Sequence, residues 1–499
     1  MGYFFFYFLI VWECIGGNSF HTGFKEGKGC LDKPVIKWKY GEYFGGGIVV
    51  GDVDKDGKNE IICGQERSGG GENILHVFNS EDLSILWTYP IGGVSYFSPA
   101  LGDVDNDNVL DVVAVGQKGT VCSLYVLNGK NGKLIWGWER VKSSPVIGDV
   151  DKDGKVEVIV GEDDTLRILS GESGEVEYSF DLRVWKTPAL ADVNNDDTVE
   201  IIAGDVDFKV YSLNPITGKI NWSFETGLMV LCSPTIGDVN KDDTLEVIVY
   251  STDDTLYALN GIRGEVVWSF PLEGTGIIYT HPCIGDVNQD DTVEVICFSD
   301  SIVYCLNGVR GEEIWRYRSR GDNILITSAV IGDVEGDGEC EIIFGLHGGS
   351  DSVIALNGKD GSVLWKLTNL DAGDCFPIIE DIDQDGWLEV VFGGTGPLVV
   401  LDKECPQEVE EEKEKRIEKV EIVVEQRELT IRFMTEKEGK VEVKLYDIIG
   451  REVGVILSKM FPKGEYTVKY DTSELLSGVY FLKFISPTFS LSRKLILLK

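Results

Sequence analysis

Asp52–Glu60 reads DVDKDGKNE, with acidic side chains at positions 1, 3, 5 and 9 of nine. One such cluster is an ordinary solvated turn. The pattern returns seven more times: DVDNDNVLD (Asp103–Asp111), DVDKDGKVE (Asp149–Glu157), DVNNDDTVE (Asp192–Glu200), DVNKDDTLE (Asp238–Glu246), DVNQDDTVE (Asp286–Glu294), DVEGDGECE (Asp333–Glu341) and DIDQDGWLE (Asp381–Glu389). Successive starts lie 51, 46, 43, 46, 48, 47 and 48 residues apart. That period marks a repeated supersecondary unit, most often a four-stranded propeller blade.

Each unit parses into four strands. In the third, SSPVIGDV leads into the acidic loop, VEVIVG leaves it, and LRILSG forms a hairpin with EVEYSF. Runs of Val, Ile, Leu and Tyr bounded by Gly, Asn and Asp are strand signals. Six units place a Gly four residues before an aromatic: Gly132/Trp136, Gly174/Tyr178, Gly218/Trp222, Gly264/Trp268, Gly311/Trp315 and Gly361/Trp365. The first keeps Trp87 but has Leu83 at the Gly position. One aromatic per unit at a fixed place is read as packing between neighbouring sheets. The eighth unit stops after its third strand, PLVVLD (Pro397–Asp402), while PVIKWKY (Pro34–Tyr40) is an orphan strand near the N-terminus. A ring in which the N-terminal strand completes the last blade accounts for both and removes the open edges. The expectation is therefore an all-β chain. An eight-bladed propeller, closed by the N-terminal strand, spans residues 33–403 and is followed by a small β-sandwich.

The acidic loops read as cation sites. Alternate oxygens from a tight loop suit Ca²⁺, which takes 6–8 oxygen ligands. The candidate ligands are Asp52, Asp54, Asp56, Lys58 and Glu60; Asp103, Asp105, Asp107, Val109 and Asp111; Asp149, Asp151, Asp153, Lys155 and Glu157. The next units give Asp192, Asn194, Asp196, Thr198 and Glu200; Asp238, Asn240, Asp242, Thr244 and Glu246; Asp286, Asn288, Asp290, Thr292 and Glu294. The last two give Asp333, Glu335, Asp337, Glu339 and Glu341, and Asp381, Asp383, Asp385, Trp387 and Glu389. The seventh-position residue offers its carbonyl. Position 6 is Gly, Asn or Asp throughout, the residues that tolerate a left-handed backbone. Carboxylates forced together oppose folding unless a cation sits among them. Up to eight Ca²⁺ are expected, mostly structural. Mg²⁺ fits less well, and the absence of Glu at position 12 excludes an EF-hand.

These residues carry a resemblance. FSPALGDVDNDNVLDVVAVG (Phe97–Gly116) resembles the FG-GAP/VCBS repeat of integrin-alpha-type propellers, and LNGxxGxxxW resembles the docking repeat of quinoprotein-like propellers. The first implies Ca²⁺ in the loop between the first two strands of each blade. Neither fixes a function, since propellers host many. At the C-terminus, VKLYDIIGREV (Val443–Val453), LLSGVYFLKF (Leu475–Phe484) and RKLILLK (Arg493–Lys499) resemble the sorting domain of the type IX secretion system. This implies export across the outer membrane and contact with the secretion machinery. The Pro-Asn-Pro start usual in such domains is missing. The alternative is an Ig-like accessory sandwich.

The rest of the chain bounds the function. The net charge of −38 argues against nucleic acid, which needs a basic surface. The apolar run Tyr3–Trp12 is too short to span a bilayer and fits a secretory signal, although a basic n-region is missing. Cys14 follows Trp12 and Glu13, poor residues for lipidation. The expected organisation is a signal peptide at 1–17, the propeller at 18–405, a charged linker at 406–418 and the sandwich at 419–499. Cys63, Cys122, Cys297 and Cys305 lie in strand-like runs, no CxxC pair occurs, and no disulfide framework is expected. His21, His76, His281 and His347 have no triad or zinc context. RSGGGE (Arg67–Glu72) reads as a hairpin turn, and Arg320-Gly321-Asp322 as a chance tripeptide.

Tyr96, Arg183, Trp185 and Tyr279, on connections that enter the first strand of a blade, are candidates to stack on sugars or grip carboxylates. Three readings follow. The favoured one is a secreted or cell-surface, calcium-stabilised, non-catalytic monomer that binds an extracellular protein or polysaccharide. The second is an extracellular enzyme, lyase-like or quinone-dependent; the quinone version wants an adjacent Cys pair, which the sequence lacks. The third is an envelope assembly scaffold, which leaves a sorting domain unexplained.

Overall fold

The computed structural model describes residues 25, 29, 31, 34–41, 44, 47–65, 73–92, 97–118, 121–273, 281–299, 301–319, 325–347, 352–368, 370, 377–393, 396–402, 420–425, 428–435, 437, 439–447, 452–471, 478–486 and 490–497. The signal segment, the charged linker, Tyr96, Tyr279, His21, the side chain of His347 and the Arg-Gly-Asp tripeptide lie outside them. Among the described residues there is no helix, and none is long and apolar enough to cross a membrane. The chain divides into two compact units, Met1–Cys405 and Pro406–Lys499.

The first unit is built from repeated four-stranded antiparallel sheets, eight among the described residues. The fifth is typical: Thr235–Gly237, Glu246–Ser251, Thr255–Asn260 and Val266–Pro271 in that order. The eight innermost strands are Ile48–Gly51, Ala100–Gly102, Val146–Gly148, Ala189–Ala191, Thr235–Gly237, Cys283–Gly285, Leu325–Gly332 and Ile378–Glu380. Each lies against the next, and the eighth lies against the first. The second strand of the fifth sheet is buried along its whole length, because neighbouring sheets cover both faces.

The eighth sheet is assembled from both ends of the unit. Val35–Tyr40 pairs antiparallel with Leu398–Asp402, as the orphan strand required. Upstream of it, the Gly29 amide donates to Asp333 O (2.6 Å) and the Leu31 amide to Val334 O (2.6 Å), so the chain enters along the seventh acidic loop.

The periodic aromatics join neighbouring sheets. The indole N–H of Trp222 donates to Gly261 O (2.6 Å), that of Trp268 to Gly308 O (2.7 Å) and that of Trp315 to Gly358 O (2.8 Å). The Gly of the next unit lies under the ring. A Cβ on Gly264 would fall 2.5 Å from Trp222 Cε3, and the residue stands at φ +68°, where an L side chain costs about 1–2 kcal/mol. Gly264→Ala is expected to lower stability by about 2–4 kcal/mol, with part of the loss from overpacking. Denaturant midpoints test this, and a change below about 0.5 kcal/mol would contradict the stacking account. Among the described residues Trp365 Nε1 has no hydrogen-bond partner. The eighth sheet has no hairpin turn to offer it, because its outer strand comes from the N-terminus.

One irregularity recurs in every sheet. Between the third and outermost strands the register slips at the residue just before the aromatic, leaving it unpaired. These bulge residues are Leu86, Ile135, Glu177, Asn221, Val267, Ile314, Leu364 and, on the closing strand, Lys37. A bulge re-aims a side chain.

The second unit holds two sheets. One contains Val420–Glu425, Glu428–Thr435 and Gly464–Asp471; the other contains Glu452–Phe461, Gly439–Asp447, Gly478–Ile485 and Ser490–Leu497. Alternate residues Leu429, Ile431 and Phe433 from the first share a core with Val443, Leu445, Leu482 and Phe484 from the second. This period-two alternation is that of a sandwich.

Candidate metal centres

All eight acidic loops connect the first and second strands of a sheet, and they share one backbone design. Position 6 stands at φ between 64° and 94° in every loop. Position 4 is also left-handed, at φ between 57° and 76°, although it is Lys, Asn or Gln in seven of the eight. Sequence reasoning anticipated the first turn and missed the second. Inside this double turn the side chains collect backbone amides. In the first loop the amides of Asp56 and Gly57 donate to Asp52, at 3.1 and 3.0 Å, and the Lys58 amide donates to Asp56 (2.9 Å).

Position 9 opens the second strand and is buried in each sheet, with Glu60, Asp111, Glu157, Glu200, Glu246, Glu294, Glu341 and Glu389 at most 2% exposed. One of its oxygens accepts the position-2 amide, as Glu60 does from Val53 (2.9 Å) and Glu389 from Ile382 (2.9 Å). Burial, reinforced by the neighbouring carboxylates, pushes these carboxyls up: to about 7 for Glu60, Asp111, Glu200, Glu246 and Glu294, and to about 8 for Glu157, Glu341 and Glu389.

The loops are not equivalent. Three carboxylates converge, with ligand atoms within 4.8 Å of one another, in the first (Asp52, Asp54, Asp56), second (Asp103, Asp105, Asp111), third (Asp149, Asp151, Glu157) and eighth (Asp381, Asp383, Asp385). Where carboxylates converge, buried oxygens without any donor add to the fit to a cation. Asp103 Oδ1, Asp149 Oδ1 and Asp381 Oδ1 are such atoms, so the second, third and eighth loops hold unspent oxygens where a Ca²⁺ would take them. In the first, both Asp52 oxygens are already engaged.

The fourth, fifth and sixth loops satisfy themselves more fully. Asn194, Asn240 and Asn288 replace a carboxylate at position 3. The side-chain amides of Asn194 and Asn240 donate to Glu200 and Glu246, each at 2.9 Å. Thr198, Thr244 and Thr292 donate their hydroxyls to Asp196, Asp242 and Asp290 and hold those carboxyls below the usual range. Asn194 Oδ1 is left without a donor. In the seventh, Glu335 stands at position 3, Asp333 Oδ2 accepts from Gly338 (3.0 Å), the Glu339 amide donates to Asp337 (2.8 Å), and Glu341 Oε1 is unspent. The remaining position-5 and position-7 residues, Asp107 and Val109, Asp153 and Lys155, and Asp385 and Trp387, repeat the amide-to-carboxylate bond of the first loop at 2.8–2.9 Å.

The sequence pattern missed one contributor, the bulge residue. Asn221 donates to Glu200 Oε1 (3.2 Å) of its own sheet. Burial and the nearby Asp151 hold the Glu177 carboxyl above its usual range. Lys37 reaches Asp383. The signal was available, since each stands immediately before its aromatic.

The other candidates are quickly placed. Cys63, Cys297 and Cys305 are buried, Cys122 is half-buried, and all four are free. His76 stacks on Phe78, with centroids 5.2 Å apart, and bonds Gln65. Trp185 is 40% exposed, with the Arg183 guanidinium 5.8 Å from its ring centroid.

Comparison with known proteins places the chain. Residues 43–114 match the FG-GAP-like repeat, residues 235–374 match a family described as outer membrane protein assembly factor BamB, and residues 425–498 match the secretion system C-terminal sorting domain. No curated protein matches the chain. Among solved structures it is similar to the quinohemoprotein alcohol dehydrogenase from Comamonas testosteroni, at 10% identity, covering 79% of this chain and 80% of that one with a TM-score of 0.57. A europium-containing methanol dehydrogenase gives 11%, 78%, 90% and 0.56, and the computationally designed Ika8 protein gives 14%, 74%, 98% and 0.50. At these identities the likeness is one of fold. The sorting domain engages the type IX secretion machinery and directs the protein to the cell surface or the extracellular space. The chain is thus an all-β protein of FG-GAP-like and quinoprotein-like propeller repeats that ends in a secretion system C-terminal sorting domain.

Proposed function

We propose that this protein is an eight-bladed, calcium-stabilised propeller with an Ig-like sorting sandwich. It acts outside the cell as a non-catalytic monomer that binds a polysaccharide or protein ligand. The ions belong to the scaffold: the first, second, third and eighth loops are the calcium sites, on the strength of their converging carboxylates and, in three of them, unspent buried oxygens. The ligand face is the opposite end of the sheets. A connection that enters the first strand of an antiparallel sheet lies at the other end from the turn that leaves it.

The observation that carries the binding reading is Trp185, on the connection from Phe180 to Ala189. Its indole is open to solvent, and the Arg183 guanidinium beside it pairs with Asp207 at 3.1 Å. An exposed Trp beside an Arg is the kind of side-chain pair enriched on recognition surfaces. The test is a screen of glycans and surface proteins in calcium, repeated with Trp185→Ala. Binding at least tenfold weaker in the variant, with melting unchanged, supports the proposal. Unchanged binding overturns the assigned face, and shortened polysaccharide with new unsaturated ends would replace binding by lyase chemistry.

A further inference from the structure

The eighth sheet differs from the other seven at two positions that face each other. Position 9 of the acidic loop pairs with the last residue of the third strand, which is Asn79, Asn260, Asn307 and Asn357 in the first, fifth, sixth and seventh sheets and Ser170 in the third. In the eighth, one step beyond the Val390–Leu401 pair, that residue is Asp402. The bulge residue is neutral or acidic in the seven other sheets, and in the eighth it is Lys37. An extra carboxylate and an extra ammonium have entered together, one from each end of the propeller chain.

The two meet in space. Lys37 Nζ lies 2.6 Å from Asp383 Oδ2 and 2.7 Å from Asp402 Oδ2, with all three side chains mostly covered. Asp383, Glu389 and Asp402 bring carboxylate oxygens within 4.8 Å of one another, a group that shares Asp383 with the Asp381, Asp383 and Asp385 group of the loop proper. Glu389 is fully buried, and its Oε1 has no donor. Three carboxylates at that spacing need a cation or a proton among them.

We propose that Asp383, Glu389 and Asp402 form a second cation site in the eighth unit, filled by the Lys37 ammonium, so that ring closure supplies from the chain itself the charge that other units take as a metal ion. The site lies outside the nine-residue motif, since Asp402 belongs to the third strand and Lys37 to the closing one. The bulge makes it possible, because the residue it frees from pairing is the one that can turn toward the acidic loop, as Asn221 does toward Glu200. Oxygen ligands at this spacing suit a divalent ion as well as an ammonium, so Ca²⁺ takes the place once the ammonium is gone.

The test is Lys37→Met in the full chain, with bound Ca²⁺ counted by calorimetry and metal analysis. The variant is expected to bind one Ca²⁺ more than the natural protein, and Lys37→Met/Asp402→Asn to return to the natural count. An unchanged count in the single variant overturns the proposal. So does failure of that variant to fold even in excess calcium, since a divalent ion should stand in for the ammonium. The proposal rests on reading the acidic loops as cation sites, but the two fail separately. A natural protein without calcium whose variant binds one ion sinks the loop sites alone, and a natural protein with several ions whose variant gains none sinks this site alone.

Discussion

Calcium is expected to raise the melting temperature of the chelator-treated protein by about 10–15 °C at pH 8, with about four ions bound per chain. A ligand at about 100 times its Kd stabilises the folded state by about 2.7 kcal/mol per site, so four sites give roughly 11 kcal/mol. The unfolding entropy is about 2.1 cal/mol/K per residue, or about 0.8 kcal/mol/K over roughly 370 residues, which converts that energy to about 14 °C. Asp149→Asn should remove one ion, whereas Asp238→Asn, in a loop with Asn240 and Thr244 already in place, should leave the count unchanged.

The effect carries a pH signature. In the metal-free protein the position-9 carboxyls are raised to about 7–8, above the usual carboxylate value. A raised acid stabilises the fold fully below its unfolded pKa, and that contribution fades as pH climbs through the folded value. The metal-free protein therefore loses stability between about pH 5 and pH 8, while ion binding, which needs the deprotonated form, strengthens over the same window. The calcium shift should be several-fold larger at pH 8 than at pH 5. A shift that is flat with pH, or no bound metal, would reduce these loops to solvated turns.

The ring was legible because its signals are local and repeated. The 43–51-residue period, the Gly under five of the indoles and the orphan strand carrying Trp38 all sit in short windows of sequence. The difference between loops was not legible in the same way. Asn at position 3 is an oxygen ligand on paper, but whether it serves a cation depends on where its amide points. In the structure Asn194 and Asn240 spend the N–H of that amide on the buried Glu, and Asn240 Oδ1 accepts the Asp242 amide at 2.9 Å. The contribution of Asp402 and Lys37 was hidden further, because it needs the register across a sheet whose strands lie more than 300 residues apart in the chain. Hydrogen-bond accounting is non-local, and a motif nine residues long cannot report it.

Removing the closing strand, by starting the mature chain at Gly41, is expected to cost about 5–10 kcal/mol. The strand pairs at five registered positions with Leu398–Asp402. At about 0.5–1.5 kcal/mol net per hydrogen bond this contributes roughly 3–7 kcal/mol. Burial of Trp38 against the core that includes Leu83, Val391 and Val400 adds about 2–3 kcal/mol. A loss of that size rivals the whole stability of an ordinary domain. It also bares the apolar Leu398–Leu401 segment as an unpaired edge, the form of strand that templates association. The truncated protein should therefore elute as dimers or larger species and melt early. A peptide of residues 33–41 added in trans should restore the monomer and the melting temperature. A truncated chain that stays monomeric and melts within about 2 °C of the natural protein would show that the ring needs no N-terminal strand, because a shift that small in a chain this size is on the order of 1–2 kcal/mol. A peptide with Met in place of Lys37 separates the two contributions. It keeps the strand pairing but leaves Asp383 and Asp402 without their ammonium, so it should restore the fold only when calcium is present.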